Sequence, residues 1–231
     1  MRKALFPLES HLLGRLERSA LAKVLRSRGT AEWLAFRHLQ VGMTIPDLVL
    51  VRKPRVKPPS RSIRPSRSRL TVFDSWALAE LLRYGPQRLD TLAGRLHARA
   101  ERVLGSLGRL ERLDLILTPT RGVYRAARMR SLLSAEVVAV EAKLQRWGEA
   151  LDQAVSYLSF ANRSFIALPE PLASGRETVR EACSQAGIGL LAVGVGAPRL
   201  VVPARRHEPR SGDWVWLLSK TLGVPRRVSR R

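Results

Sequence analysis

The sequence predicts an α/β core interrupted by a smaller helical insert that ends in a β-hairpin. Three observations predict it. From residue 137 onward, apolar runs and amphipathic stretches alternate as strand, helix, strand, helix and a closing strand pair, which is the order of an α/β protein. Residues 73–126 carry a separate rhythm, three short helical periods and then two strand-like runs around Pro119-Thr120-Arg121-Gly122. Ahead of that insert lies 52–69, with eight Lys or Arg, four Pro, four Ser and no acid, a composition that reads as an extended basic linker.

Taken in order, residues 1–51 give an N-terminal helix and two strands, 33–41 and 47–51, the second directly behind Pro46. In the insert, Trp76, Leu78, Leu81 and Leu82 mark a first helix that Tyr84-Gly85-Pro86 breaks, and Leu89, Leu92, Ala93 and Leu96 mark a second. A third, over 99–112, repeats Val103, Leu107 and Leu110 on one face. At 100° per residue, Arg102, Gly105, Arg109 and Arg112 fall on its other side. Its interior glycines, Gly105 and Gly108, each cost about 1 kcal/mol relative to alanine, so this helix is locally weak unless close approach to another surface compensates. Leu115-Ile116-Leu117-Thr118 and Val123-Tyr124-Arg125 then form the hairpin.

After the insert come a strand at 137–142, a helix at 147–161, a strand at 164–168, a helix at 177–186 and strands at 189–195 and 199–202. The chain closes on Arg226, Arg227, Arg230 and Arg231 behind Pro225, a basic tail expected to fray. The organisation is therefore a core split into 1–51 and 129–205, a linker at 52–69, an insert at 70–128 and a tail at 206–231.

The 231 residues carry 41 Lys and Arg against 19 Asp and Glu, a formal charge of +22, while 45% hydrophobic residues suffice for a core. Such an excess points to a polyanion, because each basic side chain set on a phosphate releases a condensed counterion; nucleic acid comes first and an anionic membrane surface second. A lone cysteine, Cys183, allows no internal disulfide, and His11, His38, His97 and His207 show no ligand-like spacing, so a secreted disulfide scaffold and a zinc site are excluded. The longest weakly polar run, 187–198, is shorter than the roughly 18–20 residues of a membrane span. Ala4 to Leu8 is too short for the core of a signal peptide, which makes a cytoplasmic protein the expectation. GxSxG, P-loop, HExxH and paired zinc cysteines are missing, and the GxGxxA spacing at 187–192 leads into a strand rather than out of one, against dinucleotide binding.

Chemistry concentrates at two strand ends. Asp47 opens Asp47-Leu48-Val49-Leu50-Val51, and Glu141 and Lys143 close the Val/Ala run that begins at Val137. A run of that kind is buried on both faces, where a charge costs several kcal/mol unless paired or metal-bound. Period two sends Glu141 and Lys143 to one side, so if the Asp47 strand lies alongside, two carboxylates and an ammonium converge on a hard-cation site. In the following helix, Trp147, Leu151, Val155 and Leu158 form the apolar stripe, with Arg146, Glu149, Gln153 and Tyr157 on the opposite side.

Three helices followed by a hairpin resemble a winged helix-turn-helix domain, which implies duplex binding with the third helix facing the major groove. Arg102, Arg109 and Arg112 on that helix, Arg121 in the hairpin turn and Arg146 in the core are the expected nucleic-acid contacts. Ile45-Pro46-Asp47, Glu141-Ala142-Lys143 and the QxxxY spacing of Gln153-Ala154-Val155-Ser156-Tyr157 together resemble the PD-(D/E)XK superfamily of restriction-endonuclease-like nucleases. That resemblance implies a mixed central sheet flanked by helices, with the winged helix inserted. It further implies Mg²⁺ or Mn²⁺ held by Asp47, Glu141 and the Ala142 carbonyl, Lys143 orienting water or stabilising charge, and Gln153 and Tyr157 completing the site. Glu9 in the first helix matches the additional carboxylate many members supply, with Glu17 as competitor. The implied activity is metal-dependent hydrolysis of DNA phosphodiesters. The alternative is a DNA-binding accessory protein that keeps the fold without turnover, and an RNA-binding or structural protein is a third class. A lysine between two carboxylates is expected to stay protonated without metal, which favours an electrostatic role over that of a general base.

Overall fold

A computed structural model describes residues 9–18, 33–52, 70–127 and 134–222, without the side chains of Glu17 and Arg18. Helix α1 (Glu9–Arg18) leads to strands β1 (Trp33–Arg37) and β2 (Leu48–Arg52). The insert supplies α2 (Val72–Tyr84), β3 (Gln87–Arg88), α3 (Leu89–Arg95), α4 (Ala100–Arg112), β4 (Ile116–Thr120) and β5 (Val123–Ala126). The chain returns with β6 (Glu136–Ala142), α5 (Trp147–Ser156), a 3-10 turn (Tyr157–Ser159), β7 (Arg163–Pro169), α6 (Glu170–Gly175), α7 (Glu177–Ala186), β8 (Gly189–Val193) and β9 (Arg199–Val202), and then α8 (Gly212–Leu222). Two compact units result, Met1–Lys53 with Glu136–Pro209, and Pro54–Ala135 with Arg210–Arg231.

The first unit is α/β, built on a mixed six-stranded sheet in the order β1-β2-β6-β7-β8-β9. β6, β7 and β8 run parallel at its centre, and β1, β2 and β9 are antiparallel to their neighbours. All seven residues of β6 are buried, which explains why its sequence is a continuous run instead of an alternation. Alternation reappears across the sheet. Val138, Val140, Phe165, Ala167, Leu191 and Val193 face Leu12, Leu13 and Leu16 of α1, whereas Ile166, Leu168, Leu190 and Ala192 face Ala150, Ala154, Val179 and Cys183 of α5 and α7. Gly189 opens β8 because a Cβ there would collide with the Phe165 ring.

Register explains the convergence of charge. Leu48 lies opposite Val140 in an antiparallel pair, so the start of β2 meets the end of β6. The Val140–Phe165 pairing and the parallel run of β7 bring the C-terminal ends of the central strands to that same edge. At the other end of β6, the buried carboxylate of Glu136 is held by Arg163 Nε at 2.8 Å and by Arg52 Nη2 at 3.2 Å.

The second unit holds α2, α3, α4, α8 and a three-stranded antiparallel sheet in the order β3-β5-β4. Val103, Leu107 and Leu110 of α4 are buried, as their spacing predicts. Thr71 caps α2: its hydroxyl accepts from Asp74 N at 3.1 Å, while Asp74 Oδ2 accepts from Thr71 N at 3.1 Å. The same carboxylate, 2% exposed, takes the Ser106 hydroxyl at 2.7 Å and Arg109 Nη2 at 2.8 Å, and so ties α4 to the first turn of α2. A Cβ at Gly108 would meet nothing within 4 Å, so no close approach within the described residues requires that glycine.

Several expectations need correction. The strand expected at 33–41 stops at Arg37, because His38 takes the left-handed conformation, φ 47°, and turns the chain. The helix expected at 147–161 becomes 3-10 from Tyr157. Helix α6, six residues long, has no counterpart in the sequence reading. The largest change concerns 206–231, expected as a basic tail. Within it, Ser211 caps α8 by accepting from Trp214 N at 3.1 Å, and Trp214, Val215, Leu217 and Leu218 are buried in the second unit. The basic count of the segment masked this apolar period. The linker residues 53–69 and Arg226, Arg227, Arg230 and Arg231 lie outside the described residues.

A chain ending at Pro209 tests whether α8 is part of the fold. Losing four buried side chains at roughly 2 kcal/mol each should abolish cooperative unfolding of the second unit, while the α/β unit retains its urea transition. Urea titration followed by circular dichroism measures both.

Candidate active site

Each charged group at the shared edge arrives by a separate local cause. Asp47 sits directly before β2, behind Pro46, and its Oδ2 accepts from the Ala142 N–H at 2.9 Å, a bond between residues 95 apart in the chain. Glu141 is the penultimate residue of β6 and is 2% exposed. Its facing alternates with Val140 and Ala142, so it points to the α5 side of the sheet, where Tyr157 OH donates to its Oε2 at 2.6 Å. Lys143 follows β6, its Nζ 3.0 Å from Glu141 Oε1 and 3.8 Å from Glu9 Oε2 at the start of α1.

The electrostatics follow from burial and neighbours. Burial raises the Glu141 pKa and the Asp47 charge adds to that; hydrogen bonds from Tyr157 and Lys143 oppose it without cancelling it, so the group lies above the ordinary glutamate value. Burial works against the charge on Lys143, but Glu141, Glu9 and Asp47 outweigh it and lift its pKa, so the ammonium stays protonated. Burial, then the Glu141 carboxylate, pushes the Tyr157 phenol well above the ordinary tyrosine range, which keeps it a hydrogen-bond donor.

The two ends of β6 differ in charge balance. Glu136 has two arginines against one carboxylate. Among the described residues, Lys143 is the lysine that Glu141, Asp47 and Glu9 have in common. This edge is electronegative in a chain of charge +22, an imbalance that a bound cation would relieve.

The expected residues separate into those that meet and those that do not. Asp47, Glu141, Lys143, Tyr157 and Glu9 come together. Ala142 enters through its N–H on Asp47. Gln153, one turn before Tyr157, is exposed. Of the stripe assigned to α5, Trp147, Leu151 and Leu158 pack half-buried against the core as expected, whereas Val155 is exposed and Ala150, Ala154 and Tyr157, which the stripe did not include, are the fully buried positions. Arg146 is exposed and pairs with Glu149 at 3.0 Å. In the second unit, Arg109 is taken by Asp74, Arg102 lies over the Phe73 ring at 4.3 Å, and Arg112 Nε donates to Gly108 O at 3.2 Å. Of the expected nucleic-acid contacts, only Arg121, exposed in the β4–β5 turn, is without such an engagement among the described residues. Glu17 belongs to α1, but its side chain is outside those described.

His38 was missed by the sequence reading. Its Nδ1 is 3.8 Å from Asp47 Oδ1, and its N–H donates to Asp47 O at 3.3 Å. Only the β1–β2 register brings residue 38 opposite residue 47, and no local spacing announces it. Among the described residues, no three or more His, Cys, Asp or Glu are grouped so as to hold a metal ion, and no helix is long and apolar enough to cross a membrane.

No family model matches the chain, and no curated protein matches it. Among solved structures, a protein of unknown function from Silicibacter pomeroyi is similar at 18% identity over 47% of this chain and 69% of that one, with a TM-score of 0.29, too slight a likeness to argue from.

The raised Glu141 pKa has a stability consequence. A folded value above the unfolded one means that the native state binds more protons in the interval between them, so stability falls as pH rises through it. Glu141→Gln removes that fall. In EDTA, the melting temperature of Glu141→Gln relative to wild type should therefore increase from about pH 4 to about pH 7. A difference that shrinks over this range would reverse the assigned direction.

Proposed function

We propose that the α/β unit is a metal-dependent nuclease of the PD-(D/E)XK kind, hydrolysing DNA phosphodiesters, and that the second unit is a winged helix that aids duplex binding. The observation that carries this reading is the meeting of Asp47, Glu141 and Lys143 at one sheet edge, from segments 95 residues apart, with negative charge in excess. Two carboxylates and a backbone carbonyl fit Mg²⁺ or Mn²⁺, which take few protein oxygens and complete their shell with water, so the absence of a larger acidic or histidine cluster is compatible with them. Asp47, Glu141 and the Ala142 carbonyl would hold the ion. When bound, such an ion lowers the pKa of a water and neutralises charge on the scissile phosphate.

The chain's own residues supply the rest. Tyr157 fixes one oxygen of Glu141 and so sets the direction of the other. The Ala142 N–H does the same for Asp47 Oδ2, while Oδ1 lies 3.8 Å from His38 Nδ1. Protonated Lys143 offers positive charge to the developing phosphorane oxygen or orients the attacking water through hydrogen bonding, and its raised pKa argues against proton abstraction by the lysine. A second reading, DNA binding without turnover, draws on one feature: both oxygens of Glu141 already have protein partners, Lys143 and Tyr157.

The deciding experiment is nicking of supercoiled plasmid with Mg²⁺, Mn²⁺ or EDTA. Asp47→Asn and Lys143→Ala should each lower cleavage by about 100-fold or more. Affinity for a catalytically silent duplex in Ca²⁺ should stay within about two-fold, since phosphate contacts elsewhere carry binding. Full cleavage by either variant removes its residue from the mechanism, and no cleavage by wild type with either metal favours the second reading.

A further inference from the structure

The arginines of α4 are poorly placed to be the nucleic-acid face of the second unit. Arg109 is committed to a carboxylate that is 2% exposed, Arg102 lies over Phe73, and Arg112 bonds to the backbone of its own helix. The rest of the exposed helix surface is Glu101, Leu104, Gly105, Gly108 and Glu111, with two acids offsetting its two remaining exposed arginines.

Free positive charge lies instead on the small sheet. β3 is two residues long, and its Arg88 pairs with Val123 of β5. Paired residues share a face and positions two apart on a strand do so as well, so Arg88 and Arg125 lie on the same side of the sheet. Arg121 stands two residues before Val123, in the turn that ends this hairpin. All three are exposed and have no ion-pair or hydrogen-bond partner among the described residues. The chain enters β3 from Tyr84, whose ring carries the Arg95 guanidinium at 3.6 Å and that of Arg83 at 5.1 Å. Stacking fixes both guanidinium groups in place, and only Arg95 has an acid near it, Glu80 at 3.8 Å. Asp90 in the first turn of α3 is the other carboxylate close in sequence to Arg88.

We infer that this unit grips duplex phosphates with one face of its small sheet and the adjoining turn, through Arg88, Arg125 and Arg121, and not with the outer face of α4. The inference rests on the duplex-binding reading proposed above and changes which surface performs it. Two unpaired guanidinium groups on one face of a short antiparallel sheet, with a third in its turn, meet the requirement for displacing condensed counterions: the charges are not spent on internal partners among the described residues, and backbone pairing places Arg88 and Arg125 on one face. By contrast, drawing Arg109 onto a phosphate would strand the Asp74 carboxylate in the core.

Full-length protein and a 30-base-pair duplex in Ca²⁺ provide the test, with affinity measured between ~50 and ~200 mM salt. Changing Arg88, Arg121 and Arg125 together to Gln should reduce the slope of log K against log[salt] by up to about 2.7, and Arg121→Gln alone by up to about 0.9. The comparison variant, Arg102→Gln with Arg112→Gln, should leave the slope within about 0.5 of wild type. Arg121→Gln, in an exposed turn, keeps the test valid should the triple variant fail to fold. An unchanged slope in the folded variants of Arg88, Arg121 and Arg125, or an equal fall in the α4 pair, overturns the inference while leaving duplex binding intact. Wild type with no salt-dependent affinity overturns both.

Discussion

The α/β unit is organised around a carboxylate it cannot fully neutralise. Glu141 sits at the end of a strand buried on both faces, where an uncompensated charge is among the most expensive things a fold can hold. Tyr157 and Lys143 each satisfy one oxygen, which obliges α5 to finish with its tyrosine turned inward and obliges Lys143 to fold back from the strand end. Asp47 then approaches from β2 and adds a second negative charge instead of relieving the first. A fold optimised for stability alone would resemble the other end of β6, where Glu136 lies between two arginines. The two ends of a single strand thus differ in charge balance, one neutralised and the other not.

The second unit answers the same constraint differently. Asp74 is also buried, yet every donor it needs is local or comes from one neighbouring helix: the Thr71 N–H, Ser106 and Arg109. Its pKa is lowered despite the burial that opposes this, because those donors favour the ionised form. One carboxylate thereby caps α2 and orients α4, and it takes out of circulation an arginine that helical periodicity alone assigns to the surface.

Much of this architecture is legible in the chain. The buried strand reads directly from Val137 to Ala142 with charges placed at its ends, and the three helices and hairpin of the insert read from their periods. Glu9, Asp47, Glu141, Lys143 and Tyr157 could be selected because their residue types are costly or unusual in the positions the pattern gives them. The misreadings share a cause, which is that each depended on a partner distant in sequence. Tyr157 turns inward because its partner, Glu141, lies 16 residues earlier on β6, while Val155 is exposed. Arg109 moved from surface to brace because Asp74 is 35 residues away. Trp214 and its neighbours passed for tail because α2, which buries them, lies more than a hundred residues earlier.

The sequence by itself determined the layer order, the buried central strand, the excess of positive charge and the charged residues at the strand ends, since all of these follow from local pattern and composition. Tertiary structure alone decided which charges remain uncompensated. His38 beside Asp47 and the shared face of Arg88 and Arg125 are consequences of strand register, where a shift of one residue would send a side chain to the opposite face, and the Tyr157 bond to Glu141 is a consequence of how α5 packs on the sheet. A charge acquires its role from the residues it meets, and those meetings are fixed by pairing across the sheet, over separations at which a local pattern holds no information.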